Sequence, residues 1–212
     1  MGSDLTFVNT ARVSFDKESV DLDQKDEKLI NYLVKHKHDS CLRHCVVTFE
    51  VYAPLMVARQ WYKHSVSSSH WDDQNGWNES SRRYITENEE FYVPDNFFGV
   101  PDNKKQGAAG PIDSGTNEAF KAMLVREQLH ALNNYELAIE AGIAPEQARL
   151  FLPAYGMYVR WRWTGSLNSI MNFLQLRLDG HAQSEIQSYA AAVEQIVAPI
   201  YPVTYAAWKE HR

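Results

Sequence analysis

Residues 155–164 read Tyr-Gly-Met-Tyr-Val-Arg-Trp-Arg-Trp-Thr, and Tyr155, Met157, Val159, Trp161 and Trp163 alternate without a break with Gly156, Tyr158, Arg160, Arg162 and Thr164. A two-residue period places each set on its own face of an extended chain, so the stretch predicts a strand with an indole-rich inner face. Cys45 to Ala53 repeats the pattern, with Val47, Phe49 and Val51 set against Thr48, Glu50 and Tyr52. Most of the remaining chain has helical spacing. Leu29, Ile30, Leu33 and Val34 share one side of a helix over 25–35, Pro54 opens a short helix toward Trp61, and 117–141 forms a long helix stopped by Gly142. Pro145 restarts a short helix through Arg149 to Leu152. Ser166 caps a helix carrying Ile170, Phe173, Leu174 and Arg177, and another runs from about 182 to Val197 before the break at Pro199 and Pro202. Strands that do not alternate regularly with helices give the α+β class. The Gly-, Pro- and Asp-rich stretch 99–116 reads as a loop within one domain spanning 1–212, and no Gly-rich dinucleotide fingerprint follows a strand.

A chain of 212 residues with 44% hydrophobic and 23% charged residues is long enough for a substantial single core. No apolar run approaches the length of a membrane span, and the start, MGSDLTFVNTARVSF, lacks the basic and apolar regions of a secretory signal. The net charge of −6 argues against a dedicated nucleic-acid binder, although local arginines remain able to hold a small anion. Two cysteines, Cys41 and Cys45, cannot form a disulfide framework, so a reducing cytoplasm is expected.

The densest polar cluster is RQWYKHS at 59–65, followed by NESSRRY at 78–84. Arginine beside small hydroxyl residues suits a phosphate monoester, because the guanidinium fork offers paired donors and serine adds a short one. Glu79 would repel phosphate and fits a sugar hydroxyl or a ring N–H better. From the residues alone the cluster reads equally as a polar helix end with a solvated loop, and that choice stays open. HKHDSCLRHC at 36–45 invites a metal reading, but its cysteine spacing differs from the usual pairs and no second pair closes a tetrahedron; two buried thiols and no metal are expected. Arg160 and Arg162 share a strand face that reads as solvated or subunit-facing, outside any site.

Taken together and in order, ARVSF at 11–15, ARQWYKHS at 58–65, NESSRRY at 78–84, QARLFLP at 147–153 and MNFLQLRLDGHAQSEIQ at 171–187 resemble the flavin-dependent thymidylate synthases over nearly the whole chain. The resemblance implies helices packed on a small, mostly antiparallel sheet, a homotetramer, and the nucleotide dUMP held by Gln60, Lys63, Glu79, Ser81, Arg83, Arg149 and Arg177, with Arg83 and Ser81 at the phosphate. On the FAD side it implies Ser14, His38, Ser40, Lys63, His64, Ser65, Ser166, Asn168, Asn172 and His181. Three departures fall on that side: the signature Arg-His-Arg reads Lys63-His64-Ser65, Arg43 stands where an acid is expected, and Asn168 stands where an arginine is expected. About eight extra residues also lengthen the loop between the triplet and Ser81, in the region 66–78.

The implied reaction is the reductive methylation of dUMP to dTMP, with methylenetetrahydrofolate as carbon donor and NAD(P)H reducing the FAD. The uracil carbon that gains the methyl is a poor nucleophile until the ring becomes enolate-like. Neither cysteine lies in a nucleotide block, so the resemblance implies Arg177 as the catalytic group, stabilising the ionised ring by charge. The bland alternative for Arg177 is a structural pair with Asp179 or Glu185. The altered flavin positions raise a pyrimidine hydroxymethylase or a non-catalytic nucleotide-binding homologue as alternative functions.

Overall fold

The computed structural model describes residues 2–64, 76–81, 90–101 and 107–211. Ser65 and Arg83, and most of the lengthened loop, lie outside the described residues. Contacts within the chain divide it into two compact units, Met1–Phe49 with Trp61–Trp77 and Trp163–Arg212, and Glu50–Gln60 with Asn78–Arg162.

Both predicted strands form, their ends moved by one to three residues, and a short third strand that the sequence reading does not include joins them. β1 is Val46–Pro54, β2 is Trp77–Glu79 and β3 is Tyr158–Ser166, in the order β1-β3-β2. The sheet is antiparallel. Thr48 opposes Thr164, the Thr164 amide donates to the Gly76 carbonyl, and the Ser80 amide donates to the Arg160 carbonyl. The strand begins later than the alternation predicts because Ala154–Gly156 closes a 3-10 turn after Pro153, although Met157 stays buried. Trp161 and Trp163 are 1% exposed while Arg160 and Arg162 point to solvent, so the inner-face assignment holds.

The first unit holds α1 (Asp4–Arg12), α2 (Gln24–Lys35), α6 (Leu167–Arg177), α7 (Ser184–Val197) and α8 (Pro202–His211). Its core stacks Phe49 on Trp163 at 5.6 Å and Trp61 on Phe173 at 4.4 Å between ring centroids. Such pairs add about 0.5–1.5 kcal/mol beyond the area they bury. Gly165 is required here, since a Cβ would come within 2.9 Å of the Trp163 ring. Two helices escape the sequence reading. α1 is short, with Ser3 and Thr6 capping each other's backbone at its start. α8 begins at Pro202, where the sequence predicts a break; proline is tolerated in a helix's first turn because the missing N–H has no helical partner there. The buried Asp4 carboxylate accepts from the Val203 and Thr204 amides at 2.8 and 2.9 Å, taking up donors left over at the start of α8.

In the second unit α3 (Leu55–Trp61, of which Trp61 belongs to the first) follows β1 directly, α4 is Ser114–Glu140, and α5 is Pro145–Ala148, continued by a 3-10 turn at Arg149–Phe151. α4 starts inside the stretch predicted as loop because the Asp113 side chain accepts from the Thr116 amide and caps it. It stops as predicted: Gly142 has φ +82°, the left-handed conformation that glycine adopts without strain.

Candidate active site

Ser166 ends β3 and begins α6, its hydroxyl accepting from the Ser169 amide at 3.2 Å. Leu167, Ile170, Met171, Phe173 and Leu174 bury the helix. Ser169, Phe173 and Arg177 follow one another at four-residue spacing, which aligns them along one side of the helix. All three meet the same partner, His64, three residues beyond the end of α3's core tryptophan Trp61.

His64 is held firmly. Its amide closes a turn onto the Trp61 carbonyl at 2.9 Å, and its carbonyl accepts from the Ser169 hydroxyl. The Phe173 ring stands edge-on to the imidazole, centroids 5.1 Å apart at 87°. Arg177 Nε–H donates to His64 Nε2 at 3.2 Å. The imidazole is 5% exposed, and burial together with the Arg177 charge lowers its pKa from 6.5 to about 4. A neutral ring that accepts at Nε2 carries its proton on Nδ1. Arg177 is half-buried, and among the described residues this is its one hydrogen bond, so its terminal nitrogens make none. Burial also lowers the guanidinium's affinity for its proton, although arginine stays charged in proteins. The carboxylates weighed as structural partners make other bonds: Asp179 accepts from the His181 amide and contacts its Nδ1, both at 2.8 Å, and Glu185 accepts from the Ser184 hydroxyl at 3.1 Å.

The other flavin-side candidates described by the structure also fall in the first unit. Asn168 and Asn172 lie one turn apart on α6, half-buried, and their side chains make no hydrogen bond among the described residues. Ser40 precedes the 3-10 turn Cys41–His44, and exposed His38 brings its ring within 6.3 Å of Tyr32. Ser14 is exposed in the turn Val13–Phe15. That turn follows Arg12, whose guanidinium binds the buried Asp26 carboxylate, which also accepts from the Ser19 hydroxyl at 3.0 Å. Burial pushes the Asp26 carboxyl up, but these donors outweigh it and leave it below the usual value. Lys63 is exposed, its ammonium 6.0 Å from the centre of the Tyr62 ring.

Of the nucleotide candidates, Lys63 and Arg177 belong to the first unit and Gln60, Glu79, Ser81 and Arg149 to the second. Gln60 donates to the Met56 carbonyl at 3.5 Å and Arg149 Nε to the Glu146 carbonyl at 3.1 Å. Arg160 and Arg162 both bind Glu50 on the exposed strand face, at 2.8 and 3.1 Å. Sequence reasoning missed Ser169 and Phe173 as neighbours of His64; their four-residue spacing back from Arg177 is the signal that could have found them.

Both cysteines are buried, Cys41 4% and Cys45 0% exposed, and neither forms a disulfide. Burial, with Asp4 and Cys41 nearby, pushes the Cys45 thiol up to about 12. Burial raises the Cys41 thiol as well.

A model of the family described as thymidylate synthase complementing protein matches residues 1–203. A flavin-dependent thymidylate synthase of Thermotoga neapolitana is 40% identical over 98% of this chain and 87% of its own length. Its counterpart from Thermus thermophilus is 37% identical over 100% of this chain and 73% of its own. Among solved structures, the UMP/dUMP methylase PolB from Streptomyces cacaoi, bound with 5-Br dUMP, superposes with a TM-score of 0.81 at 30% identity, covering 99% of this chain and 91% of that one. The mixed fold and the matches over nearly the whole chain agree, and the chain belongs to the flavin-dependent thymidylate synthase family of enzymes.

Proposed function

We propose that this enzyme converts dUMP to dTMP, taking the carbon from methylenetetrahydrofolate and the reducing equivalents from NAD(P)H. The observation that carries the reading is the Arg177 guanidinium, half-buried, charged, fixed at Nε and with its terminal nitrogens making no hydrogen bond among the described residues. Methyl transfer requires negative charge to develop on the uracil ring, and a preorganised cation at that ring lowers the cost of the charge. Arg177 is therefore the electrostatic stabiliser, its planar fork addressing a ring oxygen and nitrogen together. The alternative route to an activated ring, a covalent cysteine adduct, needs an accessible thiolate. Cys45 has neither access nor ionisation, and Cys41 is buried.

The residues on α6 fit a flavin. Asn168 and Asn172 offer half-buried amides, with donors and acceptors not used among the described residues, for a polar ring edge. With Ser14, His38, Ser40, Lys63, His64, Ser65, Ser166 and His181 they are the groups proposed to hold FAD, which when bound supplies the redox chemistry of the reaction. Family resemblance assigns the phosphate of dUMP to Arg83 and Ser81, and the rest of the nucleotide to Gln60, Lys63, Glu79 and Arg149. The unbroken family match over 1–203 supports one working domain. Exposed apolar residues on α4, including Phe120, Met123, Leu129 and Leu137, support the homotetramer.

Product analysis tests the reading. Incubation with dUMP, methylenetetrahydrofolate, FAD and NADPH is expected to yield dTMP. Formation of 5-hydroxymethyl-dUMP without dTMP would favour the hydroxymethylase, which the altered residues Lys63 and Asn168 motivate. A colourless protein that takes up no flavin would favour a non-catalytic homologue.

A further inference from the structure

Resting on the assignment of Arg177 to the uracil ring, we propose that His64 is a positioning residue for that arginine: it aims the guanidinium and leaves its charge uncompensated. The geometry is specific. An unheld arginine side chain samples many rotamers, and a stabiliser must already stand where charge develops. His64 removes that freedom at one atom, since Nε2 accepts from Arg177 Nε at 3.2 Å. The remaining N–H donors of the fork stay available for a ligand.

The anchor itself is immobilised by the helix that carries the arginine. Ser169 holds the His64 backbone, Phe173 fixes the ring plane edge-on, and Trp61 stacks behind Phe173. Anchor and arginine are thus tied to one helix, because three positions of α6 spaced by four residues contact the same histidine. The chemistry of the anchor matters as much. A carboxylate would also accept from Nε–H, but it would cancel the positive field the ring needs. A neutral imidazole fixes direction without that loss, and burial keeps it neutral.

Three variants separate this role from simple packing: His64→Gln, which keeps a neutral acceptor on a chain of similar reach; His64→Leu, which removes it; and His64→Glu, which makes it an anion. Arg177→Ala is assayed alongside. Each is measured as FAD-loaded enzyme for single-turnover dTMP formation at saturating dUMP, dUMP affinity by calorimetry, and flavin absorbance. Misaiming a catalytic group costs about ten- to a hundredfold, so His64→Leu is expected to lose that much rate, and His64→Gln only a few-fold. His64→Glu, compared at matched flavin occupancy, is expected to fall as far as His64→Leu, and it keeps the test alive if the leucine variant does not fold. Equal losses in His64→Gln and His64→Glu, or a wild-type rate in His64→Leu while Arg177→Ala is impaired, would overturn the positioning role. A wild-type rate in Arg177→Ala would instead overturn the assignment of Arg177 on which the proposal rests.

Discussion

Replacing His64 by glutamine should change how stability responds to acid. In the folded protein the imidazole is buried against a permanent cation, so its pKa falls from 6.5 to about 4. Between those values the unfolded chain takes up a proton that the native state refuses. The contribution is therefore complete above 6.5, is lost progressively as pH falls toward 4, and changes no further below that. The slope approaches about 1.4 kcal/mol per pH unit, and the accumulated loss at about pH 5 is about 2 kcal/mol. Glutamine has no proton to gain, and the other histidines are common to both proteins and cancel. The assay is urea unfolding followed by tryptophan fluorescence at about pH 7.5 and about pH 5, with protein and FAD concentrations held constant because ligand and subunit binding shift apparent stability. The stability gap between wild type and His64→Gln should move by about 2 kcal/mol in favour of the variant at the lower pH. Parallel behaviour of the two proteins would refute the claim that His64 is buried neutral beside Arg177.

Two further substitutions probe the nucleotide and the absence of a protein nucleophile. Arg83→Ala should weaken dUMP binding by about 1.5–3 kcal/mol, the value of a charge-assisted hydrogen bond, while flavin content stays largely intact; unchanged affinity by calorimetry removes Arg83 from the phosphate site. Cys41→Ser and Cys45→Ser should each retain methylation, with some loss of stability from burying a hydroxyl in place of a thiol; abolished turnover in a folded variant that still binds FAD and dUMP would restore a cysteine mechanism.

The elements with a strong local signature were legible in the sequence. β1 and β3 announce themselves by alternation, and α6 by the Ser166 cap followed by an apolar stripe that includes the position of Arg177. α8 was hidden because Pro202 opens it, where proline breaks nothing. The interior of the candidate site was hidden for a different reason. RQWYKHS reads as a polar helix end, and nothing within it shows that His64 is buried. Its burial comes from residues 105 and 113 positions further along the chain, Ser169 and Arg177. Pairing over that distance leaves no local pattern. Family resemblance named both His64 and Arg177, but placed them with different ligands and gave no hint that they bond to each other.

Arg177 is proposed as the charge that makes uracil a nucleophile, and the most direct measurement is single-turnover dTMP formation by Arg177→Ala at saturating dUMP, with flavin occupancy and subunit assembly checked in parallel. An interaction that strengthens in the transition state must reduce the rate by more than it weakens dUMP binding. The expected result is a deep loss of rate in an assembled, FAD-loaded variant that still binds dUMP, partly restored by Arg177→Lys, which keeps the charge without the fork. A wild-type rate in Arg177→Ala would contradict the account.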